Sequence, residues 1–216
     1  MQFDTILFDL DGTLTDPAEG ITNSVAYALE KMGITPPNKK ELLKFIGPPL
    51  AESFEKFYNL SKEDSYKAVD IYREYFAPKG IFENTLFNGI PEMLTSLKNA
   101  GKRIALATSK PEIFARQILE HFDLAKYFDL VVGSNLDGSL TDKSEVVALV
   151  LKRMNKVDLS RTAMVGDRSH DIIGGVKNGL YPVGVSFGYG SIDELKNSGA
   201  KYIANSVEEL TNFLMN

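Results

Sequence analysis

Ile6-Leu7-Phe8-Asp9-Leu10-Asp11-Gly12-Thr13-Leu14-Thr15-Asp16 is the stretch on which the reading of this chain turns. An apolar run with the character of a strand stops at two carboxylates spaced two apart, and a glycine follows. Gly12 can take backbone angles that other residues avoid, so the chain can loop tightly and keep both aspartates at the strand's end. Clustered carboxylates repel one another and lose hydration beside a hydrophobic strand, a conflict that a divalent cation removes. An Asp-Gly turn closing a β-hairpin would leave the same trace, and this segment alone does not separate the two.

Further along, short apolar runs alternate with amphipathic stretches. Strands are expected at Thr5 to Phe8, Arg103 to Thr108, Leu130 to Gly133, Ala163 to Gly166 and Pro182 to Ser186. Helices are expected at Ile90 to Ala100, Glu112 to Phe122, Asp142 to Met154 and Asp171 to Asn178. Asp142-x-x-Glu145, Ser191-x-x-Glu194 and Ser206-x-x-Glu209 have capping-box spacing. Strands alternating with helices imply right-handed crossovers and a mostly parallel sheet. The expected fold class is therefore α/β, a doubly wound, Rossmann-like parallel-sheet core.

One connection is out of proportion. The segment from Pro17 to Pro78 separates the first strand from the next unit, where a crossover needs about a dozen residues. It has helical periodicity of its own: Ile21, Val25, Ala28, Leu29 and Met32 share one face, and Tyr66, Val69 and Phe76 approximately share another. The Gly47-Pro48-Pro49 turn breaks it. The expected division is a core of residues 1–16 and 79–216 with a helical insert at 17–78.

Composition narrows the function classes. A chain of 216 residues that is 44% hydrophobic can bury a full core. Its net charge of -5 argues against a nucleic-acid binder. The absence of cysteine excludes disulfides, thiolate metal sites and cysteine nucleophiles. No apolar run approaches membrane-spanning length and no secretory leader is apparent, so a cytoplasmic protein without a membrane partner is expected.

In an open parallel sheet, functional groups collect at the carboxyl ends of the strands. Asp9 and Asp11 end the first strand, and Thr108-Ser109-Lys110 the second. Gly166-Asp167-Arg168-Ser169-His170-Asp171 ends the fourth, and Lys143 starts the helix after the third. Each has a bland explanation. Asp167 could cap the next helix while Asp171 favours its positive end, and the hydroxyls could cap as well. Together, carboxylates, hydroxyls and a lysine at one edge build poor stability but a good magnesium and phosphate site, since Mg²⁺ prefers hard oxygen ligands.

With these residues assembled, the chain resembles the haloacid dehalogenase superfamily, specifically its phosphatases with a helical cap inserted after the first strand. Asp9-x-Asp11-Gly12-Thr13, Thr108, Lys143 and Gly166-Asp167-x-x-x-Asp171 stand in the family's order. Ser144 follows Lys143, where many members carry proline. The nearest likeness is to phosphoglycolate phosphatase-like members, with β-phosphoglucomutase and nucleotidase or pyrophosphatase relatives close by.

The resemblance implies that Asp9 is the nucleophile and becomes an aspartyl phosphate. Asp11 would protonate the leaving oxygen and then deprotonate water. Mg²⁺ would be held by Asp9 and Asp167 side chains and the Asp11 backbone carbonyl, with Asp171 orienting metal-bound water or Lys143. Thr108, Lys143 and amides near Gly12 and Ser109 would hold the phosphoryl oxygens. Halide departure needs no proton, so dehalogenation would leave Asp11 without a task. A phosphatase acting on a small phosphorylated metabolite is expected, as a monomer or homodimer, ahead of a phosphomutase and of a phosphate-sensing module without turnover. The insert is expected to govern which metabolite is taken.

Overall fold

In the computed structural model, which describes residues 2–216, the apolar N-terminal run is a strand, β1 (Thr5–Phe8), buried at every position. Burial on both faces explains its unbroken hydrophobic sequence, because a central parallel strand has no solvent side. Two-residue strands, β2 (Thr15–Asp16) and β3 (Thr85–Leu86), mark the places where the chain leaves and rejoins this part of the molecule. The other strands are β4 (Arg103–Pro111), β5 (Leu130–Ser134), β6 (Thr162–Gly166), β7 (Tyr181–Val185) and β8 (Tyr202–Ala204).

The sheet is parallel with the order β5-β4-β1-β6-β7-β8. Phe8 pairs with Leu106 on one side and Val165 on the other. The chain steps outward from β1 through β4 to β5, then crosses back to β6 and proceeds the other way. Right-handed crossovers make that reversal place helices on both faces. The doubly wound α/β architecture is thus as expected, with one addition: β8 carries no legible strand pattern, being only three residues long.

The helices after the insert are α5 (Ile90–Asn99), α6 (Glu112–His121), α7 (Lys143–Met154), α8 (Ser169–Lys177), α9 (Ile192–Asn197) and α10 (Val207–Met215). Helix α7 buries Val146, Val147, Val150 and Met154 against Leu7, Ala105, Ala107, Val132 and Met164. That spacing is one face of a helix, and this contact fixes where Lys143 begins. No helix among the described residues is long and apolar enough to cross a membrane.

The remaining residues, Pro17–Thr85, form a second compact unit. It contains α1 (Ala18–Lys31), α2 (Lys39–Leu42), α3 (Leu50–Tyr58) and α4 (Lys62–Phe76). Ile21, Val25, Ala28 and Leu29 of α1 are buried, as are Ala68, Val69, Tyr72 and Phe76 of α4. Phe45 meets Phe54 edge to face at 5.0 Å between centroids.

Two expectations need correction. Tyr66 is 45% exposed, because the buried stripe of α4 runs through Ser65, Ala68, Val69, Tyr72 and Phe76 and excludes it. The unit ends at Thr85 rather than Pro78: Glu83 accepts a hydrogen bond from Gly20 N through its carbonyl (2.9 Å) and one from Asn23 Nδ2 through its carboxylate (2.8 Å). Those bonds to α1 keep residues 79–85 with the insert.

Candidate active site

Beyond β1 the chain keeps the sheet ladder for one more residue, with Asp9 N donating to Val165 O at 2.9 Å. It then closes a tight loop in which Leu10 O accepts from the amides of Thr13, Leu14 and Thr15. Gly12 has φ +84°, and a Cβ there would overlap the Asp167 carboxylate. A side chain is therefore excluded twice, by conformation and by space. Because β1 is flanked by parallel β4 and β6, the hairpin reading of Asp11-Gly12 is ruled out.

The loop, the end of β6 and the first turns of α7 and α8 place four charged groups together. One carboxylate oxygen from each of Asp9, Asp167 and Asp171 lies within 4.8 Å of the others, and all three residues are buried. Lys143 enters from the first turn of α7. Its Nζ stands 2.6 Å from Asp9 Oδ1, 2.9 Å from Asp171 Oδ1 and 3.0 Å from Ala107 O. A cation in the first turn opposes the helix dipole, and these partners supply the compensation.

The electrostatics follow from burial. Desolvation pushes the Asp167 carboxyl well above its ordinary range, and the Asp171 and Asp9 charges add to it. Burial also raises Asp171, to about 6, against the opposing pull of the Lys143 ammonium. For Lys143, burial favours the neutral form, but the carboxylates of Asp171 and Asp9 outweigh it and raise the ammonium's pKa. Three buried carboxylates face one ammonium, so the cluster favours a further positive charge.

Its donors are all carboxylate oxygens, which suits a hard divalent cation such as Mg²⁺ and not a soft metal. Asp171 is the most committed of the three. Its Oδ2 accepts from Arg168 N at 3.0 Å, while Oδ1 holds Lys143. The capping alternative is thereby divided: Asp171 satisfies the start of α8, whereas Asp167 faces Tyr189 N (2.8 Å to Oδ2) and Thr13 Oγ1 (3.4 Å to Oδ1).

Asp11 points elsewhere. Its Oδ2 lies 2.6 Å from Lys110 Nζ, and its Oδ1 is buried without a hydrogen-bond partner among the described residues. Burial raises the Asp11 carboxyl, and Lys110 opposes the rise. Thr108 is buried at the end of β4, where its Oγ1 accepts from Lys110 N at 3.2 Å. Ser109 Oγ donates to Thr141 O at 3.2 Å, so its hydroxyl is tied to the neighbouring loop.

Sequence reasoning placed Lys110 at the end of its strand without giving it a role, and it missed Tyr189. Lys110 lies where the β4 ladder is interrupted between Ala107 and Pro111, an irregularity that residue types do not reveal. Tyr189 acts through its backbone amide on Asp167 while its phenol donates to the Asp16 carboxylate. A backbone donor leaves no trace in residue type.

Residues 6–185 match the family model for haloacid dehalogenase-like hydrolases. Over 196 residues the chain is 44% identical to a 5'-nucleotidase of Pseudomonas aeruginosa, covering 91% of this chain and 88% of that protein. It is 38% identical over 207 residues to the tyrosine-protein kinase PtkA of Mycobacterium tuberculosis, covering 95% of this chain and 70% of that one. Among solved structures, one described as a "predicted phosphatase" from Clostridium acetobutylicum matches with a TM-score of 0.96 at 50% identity, covering 99% of each chain.

Proposed function

The chain belongs to the haloacid dehalogenase-like hydrolase family and is a phosphatase-type enzyme, and we propose that it hydrolyses a small phosphomonoester through a phosphoryl group carried on Asp9, with Mg²⁺ as cofactor. The observation that carries this reading is the convergence of Asp9, Asp167 and Asp171 oxygens within 4.8 Å beside Lys143. Asp9 and Asp167 side chains, with the Asp11 backbone carbonyl, would hold Mg²⁺. A cation held there would supply neutralisation of charge on the phosphoryl oxygens.

In the first step a carboxylate oxygen of Asp9 bonds to phosphorus while the bond from phosphorus to the leaving oxygen breaks, and Asp11 donates a proton to that oxygen. In the second step water attacks the same phosphorus, the Asp9–phosphorus bond breaks, and Asp11 takes the water's proton. Lys143, the Thr108 hydroxyl and amides near Gly12 and Ser109 hold the phosphoryl oxygens as charge spreads over them. Asp171 positions Lys143, to which it is paired at 2.9 Å.

Nucleoside 5'-monophosphates are the first substrates to try, given the 44% identity to a protein named 5'-nucleotidase. Phosphoglycolate, the substrate class suggested by the motif resemblance, comes next. Phosphate release from a metabolite panel, with Mg²⁺ and with chelator, tests the reading. Release that requires Mg²⁺ supports it, and full turnover in metal-free protein sinks the cation site. Transfer of the phosphoryl group to a second sugar phosphate in place of water would make the protein a mutase.

A further inference from the structure

The connection between β4 and β5 is built unevenly. Ala107 pairs with Val132, and the next pair is Pro111 with Ser134. Thr108, Ser109 and Lys110 therefore stand against Gly133 alone, and β4 bulges at the carboxyl edge of the sheet. Gly133 makes room for the bulge: a Cβ there would lie 2.5 Å from Lys110 O and 2.7 Å from Glu112 N. The bulge sends the Lys110 side chain, 7% exposed, to Asp11, where Nζ and Oδ2 are 2.6 Å apart. A buried lysine and aspartate at that separation hold each other in one arrangement, and removing either leaves the other charge uncompensated.

The consequence lies in which Asp11 oxygen can carry a proton. In a protonated carboxyl the carbonyl oxygen is the stronger acceptor, so with Oδ2 accepting from the donor-only ammonium of Lys110 the proton is favoured on the other oxygen. Oδ1, buried and without a hydrogen-bond partner among the described residues, is the oxygen left for proton exchange. The same ion pair keeps the Asp11 carboxyl out of the Asp9, Asp167 and Asp171 cluster. We propose that Lys110 is a positioning residue for acid–base transfer, fixing the Asp11 carboxyl so that Oδ1 delivers the proton to the leaving oxygen and recovers one from water.

This proposal rests on the phosphatase reading above. The balance is simple: the Oδ1–H bond breaks as the leaving oxygen gains its proton and loses phosphorus, and Oδ1 regains a proton as water attacks the Asp9-bound phosphoryl group.

The test compares kcat/KM across alkyl and aryl monophosphates for the native protein, Lys110→Met, Lys110→Arg, Asp11→Asn and the Asp11→Asn/Lys110→Met double variant. kcat/KM reports the first phosphoryl transfer, where an aryl leaving group needs little protonation and an alkyl one needs much. Lys110→Met should lose about tenfold or more on alkyl phosphates and less than about threefold on an aryl phosphate. Lys110→Arg should recover part of the loss. In the Asp11→Asn background, Lys110→Met should add less than about threefold, because a group acting through Asp11 has nothing left to position.

A loss of equal size on every substrate, or losses that multiply in the double variant, would overturn the proposal and make Lys110 an independent phosphate or folding residue. No loss at all would overturn it as well. If Asp11→Asn itself shows no dependence on the leaving group, the phosphatase reading of Asp11 fails, and this inference with it. Melting temperatures of each variant separate misfolding from mispositioning, and Lys110→Arg keeps the comparison open should the methionine variant not fold.

Discussion

Asp9 and Asp11 sit two residues apart, yet their surroundings divide them: Lys143 holds the first at 2.6 Å, and Lys110 holds the second at 2.6 Å. Different partners allow different tasks for chemically identical groups. Asp9→Asn should abolish formation of a covalent phosphoryl-enzyme on every substrate, because an amide is a poor nucleophile. Asp11→Asn should retain it on aryl phosphates while losing about 10²–10⁴-fold on alkyl ones. Acid-quench trapping of phosphate on the protein distinguishes them, and equal rescue of both variants by an aryl leaving group would mean the roles are misassigned.

A second prediction concerns the metal-free protein. Asp171 is raised from 3.8 to about 6, with Asp167 also raised, so between those values the folded chain binds more protons than the unfolded one. Stability contributed by the protonated carboxyls is therefore full on the acid side of that window and declines as pH rises through it, by on the order of 3 kcal/mol. Melting temperature in chelator should fall from pH 4.5 to 6.5, less so in Asp171→Asn, and Mg²⁺ should raise it more at pH 7 than at pH 5. A flat profile common to both proteins would count against the buried acidic cluster.

At the scale of elements, a short loop has to reach another strand's carboxylate, and Gly12 is where it does so. Gly12→Ala would force a side chain into φ +84° and into the space of the Asp167 carboxylate. The conformational part alone costs about 1–2 kcal/mol. The displacement of Asp167 should weaken Mg²⁺ as well. Calorimetry should record both a lower melting temperature and a lower Mg²⁺ affinity, and a stability loss with unchanged affinity would detach the loop from the cation site.

The same scale explains what could be read from residues alone. Unbroken apolar runs such as Ile6 to Phe8 mark central strands because burial on both faces leaves one pattern. β8 was illegible because three residues cannot show a period. Ser191 and Ser206 do cap their helices through the amides of Glu194 and Glu209. The Glu194 carboxylate, however, reaches Ser169 N at 2.7 Å and Arg168 Nε at 3.0 Å, tying α9 to the start of α8. Sequence spacing locates a cap but not the tertiary partner of its carboxylate. Asp9 and Asp167 were legible because charged side chains at apolar strand ends are conspicuous, and Lys143 because a cation in a helix's first turn opposes the dipole. The Tyr189 amide was not.

Across the whole molecule, every group assigned to the phosphoryl transfer lies in residues 9–16 or beyond residue 86, although Pro17–Thr85 intervenes in the chain. β1 is one of the two central strands of its sheet, so the core cannot dispense with the residues before the insert. It can dispense with the insert itself if its own packing suffices, and α7 alone brings a contiguous apolar face to the sheet. Replacing residues 17–85 with a flexible Gly/Ser linker should therefore give a folded chain that binds Mg²⁺ and hydrolyses a minimal aryl phosphate within about tenfold of the native kcat/KM. The discrimination among metabolites expected of the insert should be lost, so that kcat/KM for a nucleoside monophosphate and for phosphoglycolate converge. Circular dichroism checks the fold, and kcat/KM on the three substrates checks the rest. A shortened chain that folds and binds Mg²⁺ but hydrolyses no aryl phosphate would show that the chemistry itself needs residues from the insert, and the assignment of transfer to the core residues alone would be wrong.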